Sequence, residues 1–169
     1  PESFPEFRMA QFSIVTHRGC FGNCSFCALA LHQGETIVSR SEESILEEIQ
    51  RLVRHPEFKG YIDDFGGPTA NMYGMDCDTA CGKPCLDCSA RPSHDRLIAL
   101  LRKARAIPGV KKVFVRSGVR YDLALESGEY IRELVGHHVS GLLKIAPEHV
   151  SKKVLRLMNK DGGDAFERF

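Results

Sequence analysis

Seven cysteines carry most of the chemistry open to this 169-residue chain. They form two groups with no singletons, Cys20, Cys24 and Cys27, then Cys77, Cys81, Cys85 and Cys88. Structural core cysteines would scatter, whereas ligand sets cluster. A chain of this length buries a core without staples, so an odd cysteine count fits metal ligation better than a secreted disulfide framework. The first group spells C-x3-C-x2-C through Cys20-Phe21-Gly22-Asn23-Cys24-Ser25-Phe26-Cys27. Three thiolates on one tight loop can hold three irons of a four-iron cluster and leave the fourth open to a small molecule. A structural zinc site would need a fourth protein ligand, which His17 or His32 could only just supply.

The second group, Cys77-x3-Cys81-x3-Cys85-x2-Cys88, sits in a stretch from Thr69 to Pro92 that shows no sustained periodicity. A loop this long inside a compact domain is functional or held by something. Four thiolates can complete a zinc site or an auxiliary four-iron cluster, and ligand chemistry does not separate the two. Two disulfides are the other reading.

The elements that must position these groups alternate along the chain. Phe12–Thr16 (FSIVT) is a short apolar run opening onto the first cysteine loop and predicts a buried strand. A helix is expected from Ser41 to His55, with N-cap candidates in Ser39-Arg40-Ser41-Glu42 and Ile45, Leu46, Ile49, Leu52 and Val53 at helical spacing. Tyr61–Phe65 predicts a second strand, closed by Gly66-Gly67-Pro68. Ser93 is expected to cap a helix carrying Leu97, Ile98, Leu100, Leu101 and Ala104, and Val113–Val115 a third strand ending at Ser117-Gly118. Glu129–Gly136 reads as a helix with Ile131, Leu134 and Val135 inward. Gly141–Ala146 (GLLKIA) reads as a fourth strand running into Pro147-Glu148-His149, and Ser151–Asn159 as a final helix. Ala165–Phe169 begins a further element.

Strand–helix alternation argues an α/β fold with parallel strands and helices outside. A full eightfold barrel takes about 250 residues, so the four units amount to half a barrel or a small open sheet. Such a sheet leaves edges that the remainder of the barrel, or another chain, would have to cover. The absence of an initiator methionine and the end at Phe169 suggest a piece of a longer protein.

Composition excludes several classes. Lys and Arg number 23 against 22 Asp and Glu, a formal charge of +1, which offers no broad nucleic-acid surface. No apolar run approaches the roughly 18 residues of a membrane span, and residues 1–11 form a leader without signal-peptide character. A cytoplasmic location follows from this reading.

The first cysteine loop, with an aromatic directly before its third cysteine, resembles the C-x3-C-x-aromatic-C signature of the radical S-adenosylmethionine (SAM) superfamily. HRGCFGNCSFCALALHQGETIVSRSEESI, DDFGGPTANMYGMDC, PGVKKVFVRSGVRYDLA and HHVSGLLKIAPEHVSKKVLRLMNK resemble its YgiQ-type branch. The likeness runs from about Phe12 to Phe169. It implies a partial TIM-type (β/α) barrel of six units, residues 1–169 holding the first four, with 69–92 as a cysteine-rich insertion. It implies a 4Fe-4S cluster on Cys20, Cys24 and Cys27, SAM chelated at the open iron, and Phe26 beside the adenine. Reductive cleavage of SAM would then give methionine and a 5′-deoxyadenosyl radical that abstracts hydrogen from an unknown substrate, fed by a donor such as flavodoxin or ferredoxin.

Gly66-Gly67-Pro68 stands where the superfamily has Gly-Gly-Glu, so the backbone approach is kept and the carboxylate is lost. Ser117 and Arg120 fall where side chains would face the cofactor, with Arg120 suited to the methionine carboxylate, or else to a surface salt bridge. Glu148 matches the ribose-contacting position. Lys144 lies in the expected fourth strand, and an inward lysine there would be a functional candidate. Most histidines, including the His137–His138 pair, read as surface or capping residues, and His149 is the one functional candidate among them. The strand-five segments that contact SAM in the superfamily are not found, which puts SAM binding by these four units in question. VLRLMNK also resembles the methylthio-transferring relatives that modify RNA. The reading from a different class is a cysteine-rich metal-binding module that docks partners without catalysis.

Overall fold

The computed structural model describes residues 4–77, 85–160 and 164–169. Helix α1 (Pro5–Ala10) lies within the expected leader. Strand β1 (Ser13–Val15) pairs in parallel with β5 (Asp64–Gly66), in the register Ile14 to Phe65. Strand β4 (Tyr61–Ile62) pairs in parallel with β6 (Lys112–Val113), Ile62 facing Val113. Between β4 and β5, Asp63 donates its backbone N–H to Phe12 O at 3.0 Å, so residues 61–66 act as one extended segment with a break. The pairing sets 61–66 between the first and third strands, and the third strand, expected over Val113–Val115, is Lys112–Val113.

Two connections behave as their sequences require. Helix α3 (Glu42–Val53) starts at Ser41, whose Oγ accepts the Ser44 N–H at 3.2 Å. Glu42 and Glu43 face its positive end and Arg51 its negative end. Its stripe buries Ile45 and Ile49 completely. Helix α4 (Asp95–Ala106) turns Leu97, Ile98, Leu100, Leu101 and Ala104 inward and packs on α3, α6 (Gly128–Glu133) and β6. Its boundary residue is His94 rather than Ser93, although Ser93 Oγ accepts the Asp95 N–H at 3.3 Å.

The later units depart from expectation. Gly141–Ala146 forms no strand: Val119 and Ile145 make one isolated parallel bridge, with Val119 N–H donating to Lys144 O at 2.9 Å. Among the described residues no strand lies on its outer side, and Leu142 is 72% exposed, so nothing there drives an extended run. The expected helix 129–136 breaks into α6 and a π-helical turn, Leu134–His138. The wider turn rotates the side chains that follow it. Val135 consequently points to solvent and His138 is buried instead.

Three further elements frame the cysteine loop: strand β2 (His17–Arg18), antiparallel to β3 (Val38–Ser39), and helix α2 (Leu29–Gln33) between them. The chain continues through α5 (Tyr121–Ala124), α7 (Lys152–Leu157) and α8 (Ala165–Arg168). Helix α7 buries Leu155 and leaves Leu157 exposed. No helix among the described residues is long and apolar enough to cross a membrane.

Candidate functional site

The first cysteine group lies just past β2, on the loop that β1 opens onto. Gly19 makes the entry possible: its φ is +86°, and an added Cβ would sit 1.8 Å from Thr36 O, on the segment leading to β3. Cys20 N–H donates to Gly34 O at 3.1 Å, and Cys27 N–H to Cys24 O at 3.0 Å, so the loop closes on itself. Cys20, Cys24 and Cys27 are half-buried and form no disulfide. Cys20 Sγ is 3.3 Å from Thr69 Oγ1, and Cys24 Sγ is 3.8 Å from Gly22 O. Phe26 is 52% exposed, an aromatic face beside the third cysteine with no core to enter.

The loop is held from behind by the end of α7. Ser25 N–H donates to Met158 O at 3.0 Å and Ser25 Oγ to Leu157 O at 3.0 Å. Asn159 Nδ2 donates to Asn23 O at 2.7 Å, and both asparagines have positive φ, 49° and 44°. Residues 136 positions apart in sequence thus fix the backbone on either side of Cys24.

The second group approaches the first. Phe21, Cys20, Cys85 and Leu86 share an apolar cluster with Ile37, Met72, Met75 and Leu123. Arg91 ties it down, donating to Cys85 O at 2.6 Å with its guanidinium 6.0 Å from the Phe21 ring centre. Cys77 is exposed and Cys88 half-buried, while Cys81 lies outside the described residues. Among the described residues, no three cysteine, histidine or carboxylate side chains converge on one metal position.

Gly66 and Gly67 stand at the end of β5. A Cβ on Gly66 would meet Ser117 Cβ at 3.1 Å, and one on Gly67 would meet His17 Cε1 at 2.6 Å. Their bareness is therefore already required by the protein's own side chains. A cavity of about 180 Å³ opens beside them, lined by Ile14, Asp64, Gly66, Gly67, Pro68 and Ser117 among others. Asp64 holds the third segment in place: Oδ1 accepts the Arg116 and Ser117 N–H groups at 2.8 and 2.9 Å, and Oδ2 accepts Ser117 Oγ–H.

Arg120 is 7% exposed. Burial pulls its pKa down, but the hydrogen bond and charge of Asp122 outweigh this and hold it above the usual arginine value. Nε and Nη2 both donate to Asp122. That edge is committed, which leaves Nη1 facing the cysteine loop: a Cβ on Gly22 would lie 2.6 Å from Nη1 and 3.4 Å from Cys20 Sγ. Burial pushes the Cys24 thiol up, opposed by the charges of Arg120 and Lys160. Arg120 is anchored by Asn71, fully buried, whose Oδ1 accepts Arg120 N–H at 2.9 Å and whose Nδ2 donates to Arg120 O at 3.0 Å.

Of the other expected residues, Lys144 is exposed rather than inward, and offers its carbonyl to Val119. Glu148 accepts from Lys160 Nζ at 2.9 Å, and its φ is +62°. The expectation for His138 is corrected, whereas His32, His55 and His137 are exposed as expected. His17, His94 and His138 are all buried, because each ring fills core volume beside a hydrogen-bond partner. His149 is exposed, its Nδ1 accepting the Ser151 N–H at 2.8 Å. Asn71, Asp122 and Lys160 were not legible as site residues. Each is a polar residue with no motif of its own, and its role rests on contacts distant in sequence or on one side chain's direction.

A model of the radical SAM superfamily matches residues 14–169. The chain belongs to the radical SAM superfamily. Among curated relatives, a UPF0313 protein of Methanosarcina acetivorans is 52% identical, over 99% of this chain and 24% of its own length. One from Methanocaldococcus jannaschii is 54% identical, over 94% of this chain and 28% of its own. One from Pseudomonas syringae pv. tomato is 49% identical, over 99% and 23%. This radical SAM chain thus spans about a quarter of the length of the relatives it matches.

The donor set suits the group such a family implies. Three soft sulfur donors on one loop, with no disulfide among them and two buried cations close by, favour an anionic iron–sulfur cluster. Cluster thiolates each bind a different iron, so they need not converge on one point.

Proposed function

We propose that this chain is the SAM-cleaving core of a radical enzyme of the YgiQ-type branch, with Cys20, Cys24 and Cys27 as ligands of a 4Fe-4S cluster. The observation that carries the reading is the three-thiol loop just past β2, within a family match that covers nearly the whole chain. When bound, the cluster and SAM supply reductive cleavage of the sulfonium C–S bond and a 5′-deoxyadenosyl radical for hydrogen abstraction. The chain's residues bind and orient. The α7 end holds Asn23 and Ser25, and therefore the direction of the Cys24 thiol. Gly66, Gly67 and Ser117 border the cavity beside β1 and β5 and would cradle the cofactor. Phe26 offers an exposed ring for an adenine face.

On this reading the architecture is the first four strand–helix units of a six-unit partial TIM-type barrel, and a one-electron donor such as a flavodoxin or ferredoxin feeds the cluster. Cys77, Cys81, Cys85 and Cys88 form a second metal site, zinc or an auxiliary cluster, packed against the first loop through Cys85.

Anaerobic reconstitution with iron and sulfide, followed by EPR of the dithionite-reduced protein with and without SAM, tests the proposal. The expected result is a reduced-cluster signal that changes on adding SAM and is lost in Cys24→Ala. Stoichiometric zinc in place of iron at the first loop would refute it and favour a partner-docking metal module.

A further inference from the structure

Two buried cations stand behind the cysteine loop. Arg120 is 7% exposed and Lys160 6% exposed. Among the described residues each has one carboxylate partner, Asp122 for Arg120 and Glu148 for Lys160, at 2.6 and 2.9 Å. In both pairs the carboxylate is the more exposed partner: the side chains are 8% and 22% exposed for Arg120 and Asp122, and 8% and 30% for Lys160 and Glu148. The pairs are therefore oriented, positive end inward.

The inward end of Arg120 faces the loop, and the Lys160 backbone adjoins the residues that hold it. Asp122 occupies Nε and Nη2 of Arg120, and the remaining nitrogen, Nη1, flanks Gly22 together with Cys20 Sγ. Lys160 directly follows Met158 and Asn159, which bond to Ser25 and Asn23, the two residues on either side of Cys24. The Lys160 pair is kept although Glu148 adopts a left-handed backbone that a non-glycine residue avoids.

Resting on the reading that these thiolates hold an iron–sulfur cluster, we propose that Arg120 and Lys160, each backed by an outer carboxylate, form two inward-pointing charge dipoles that raise the cluster's reduction potential. One-electron reduction by an external donor adds one negative charge to the cluster and changes no bond to the protein. A positive charge nearby stabilises the reduced form more than the oxidised one, and burial limits how far water screens the effect. Asn71 acts as a positioning residue, since it grips the Arg120 peptide at both N–H and C=O.

The test is an EPR-monitored redox titration of the reconstituted chain without SAM, with iron and sulfide counted for each variant. Arg120→Gln and Lys160→Met should move the midpoint to more negative values. Asp122→Asn and Glu148→Gln remove the outer carboxylate and should move it to more positive values. A loosened, wetter loop would shift all four variants the same way. Equal shifts of one sign, or midpoints that match the wild type in all fully loaded variants, overturn the proposal. Should Arg120→Gln or Lys160→Met fail to fold or load, the two carboxylate variants decide: a positive shift sustains the proposal, and no shift or a negative one overturns it. A wild-type chain that takes up no iron defeats the cluster reading itself, and the proposal with it.

Discussion

Replacing Asn71 by alanine tests the anchoring of Arg120 directly. Asn71 is fully buried, and its amide accepts Arg120 N–H at 2.9 Å and donates to Arg120 O at 3.0 Å. The same amide lies 3.3 Å from the buried His94 Nε2, and the losses are unequal. Arg120 O keeps a second donor, Ala124 N–H at 3.0 Å, whereas no other acceptor is recorded for Arg120 N–H among the described residues. Orphaning one buried N–H costs about 1–3 kcal/mol, and the small cavity adds about 1 kcal/mol. The expected loss is thus about 3 kcal/mol, or a drop of roughly 6–12 °C in Tm for a chain of this size. Asn71→Asp keeps the acceptor for Arg120 N–H but sets a second oxygen against Arg120 O. Its carboxyl can donate there only when protonated, so its pKa is raised on folding. The stability tied to that proton is present at low pH and lost as pH rises through the folded value. The gap between Asn71→Asp and wild type should therefore narrow from pH 8 towards pH 5. Thermal melts followed by far-ultraviolet circular dichroism at both pH values measure this. A Tm within about 2 °C of wild type for Asn71→Ala would refute the anchoring argument.

Gly67→Ala should destabilise by about 1–3 kcal/mol in urea unfolding, because the new Cβ would meet the buried His17 ring at 2.6–2.9 Å. Gly66→Ala should cost less, since its nearest neighbour is 3.1 Å away, and equal costs would contradict the packing account. Acid should weaken the fold through buried imidazoles. Burial lowers the pKa of His17 and of His94 from 6.5 to about 4. The unfolded chain therefore binds protons first as pH falls. Stability present above pH 6.5 is lost progressively down to pH 4, by about 3 kcal/mol per histidine. Urea midpoints measured across that window should fall, and His94→Gln should flatten the slope, whereas an unchanged slope would show that His94 carries none of it.

Much of the frame was legible because its signals are local. The spacing of Ile45, Ile49, Leu97, Leu101 and Ala104 repeats with the helix turn, and Ser41 caps by a bond to its own third neighbour. FSIVT reads as a strand, and Ser13–Val15 forms one, with Ile14 buried and Val15 exposed, while C-x3-C-x2-C places three thiols on one loop whatever surrounds them. Reading failed where an element's state depends on what lies beside it. GLLKIA has strand composition, but paired only at Ile145, because an extended run is stable only when both its edge and its face find partners. Val135 fits a regular helix stripe, and one widened turn sent it to solvent.

The sequence by itself determined the family, the thiol loop and the helices that carry it, since composition and short-range spacing are written in consecutive residues. Only the tertiary structure decided which charges surround that loop. It committed one edge of Arg120 to Asp122. It also turned Lys160 inward against Glu148 and set Asn71 on the Arg120 backbone. A buried polar side chain is stable only with partners already in place, and those partners come together only when the chain folds.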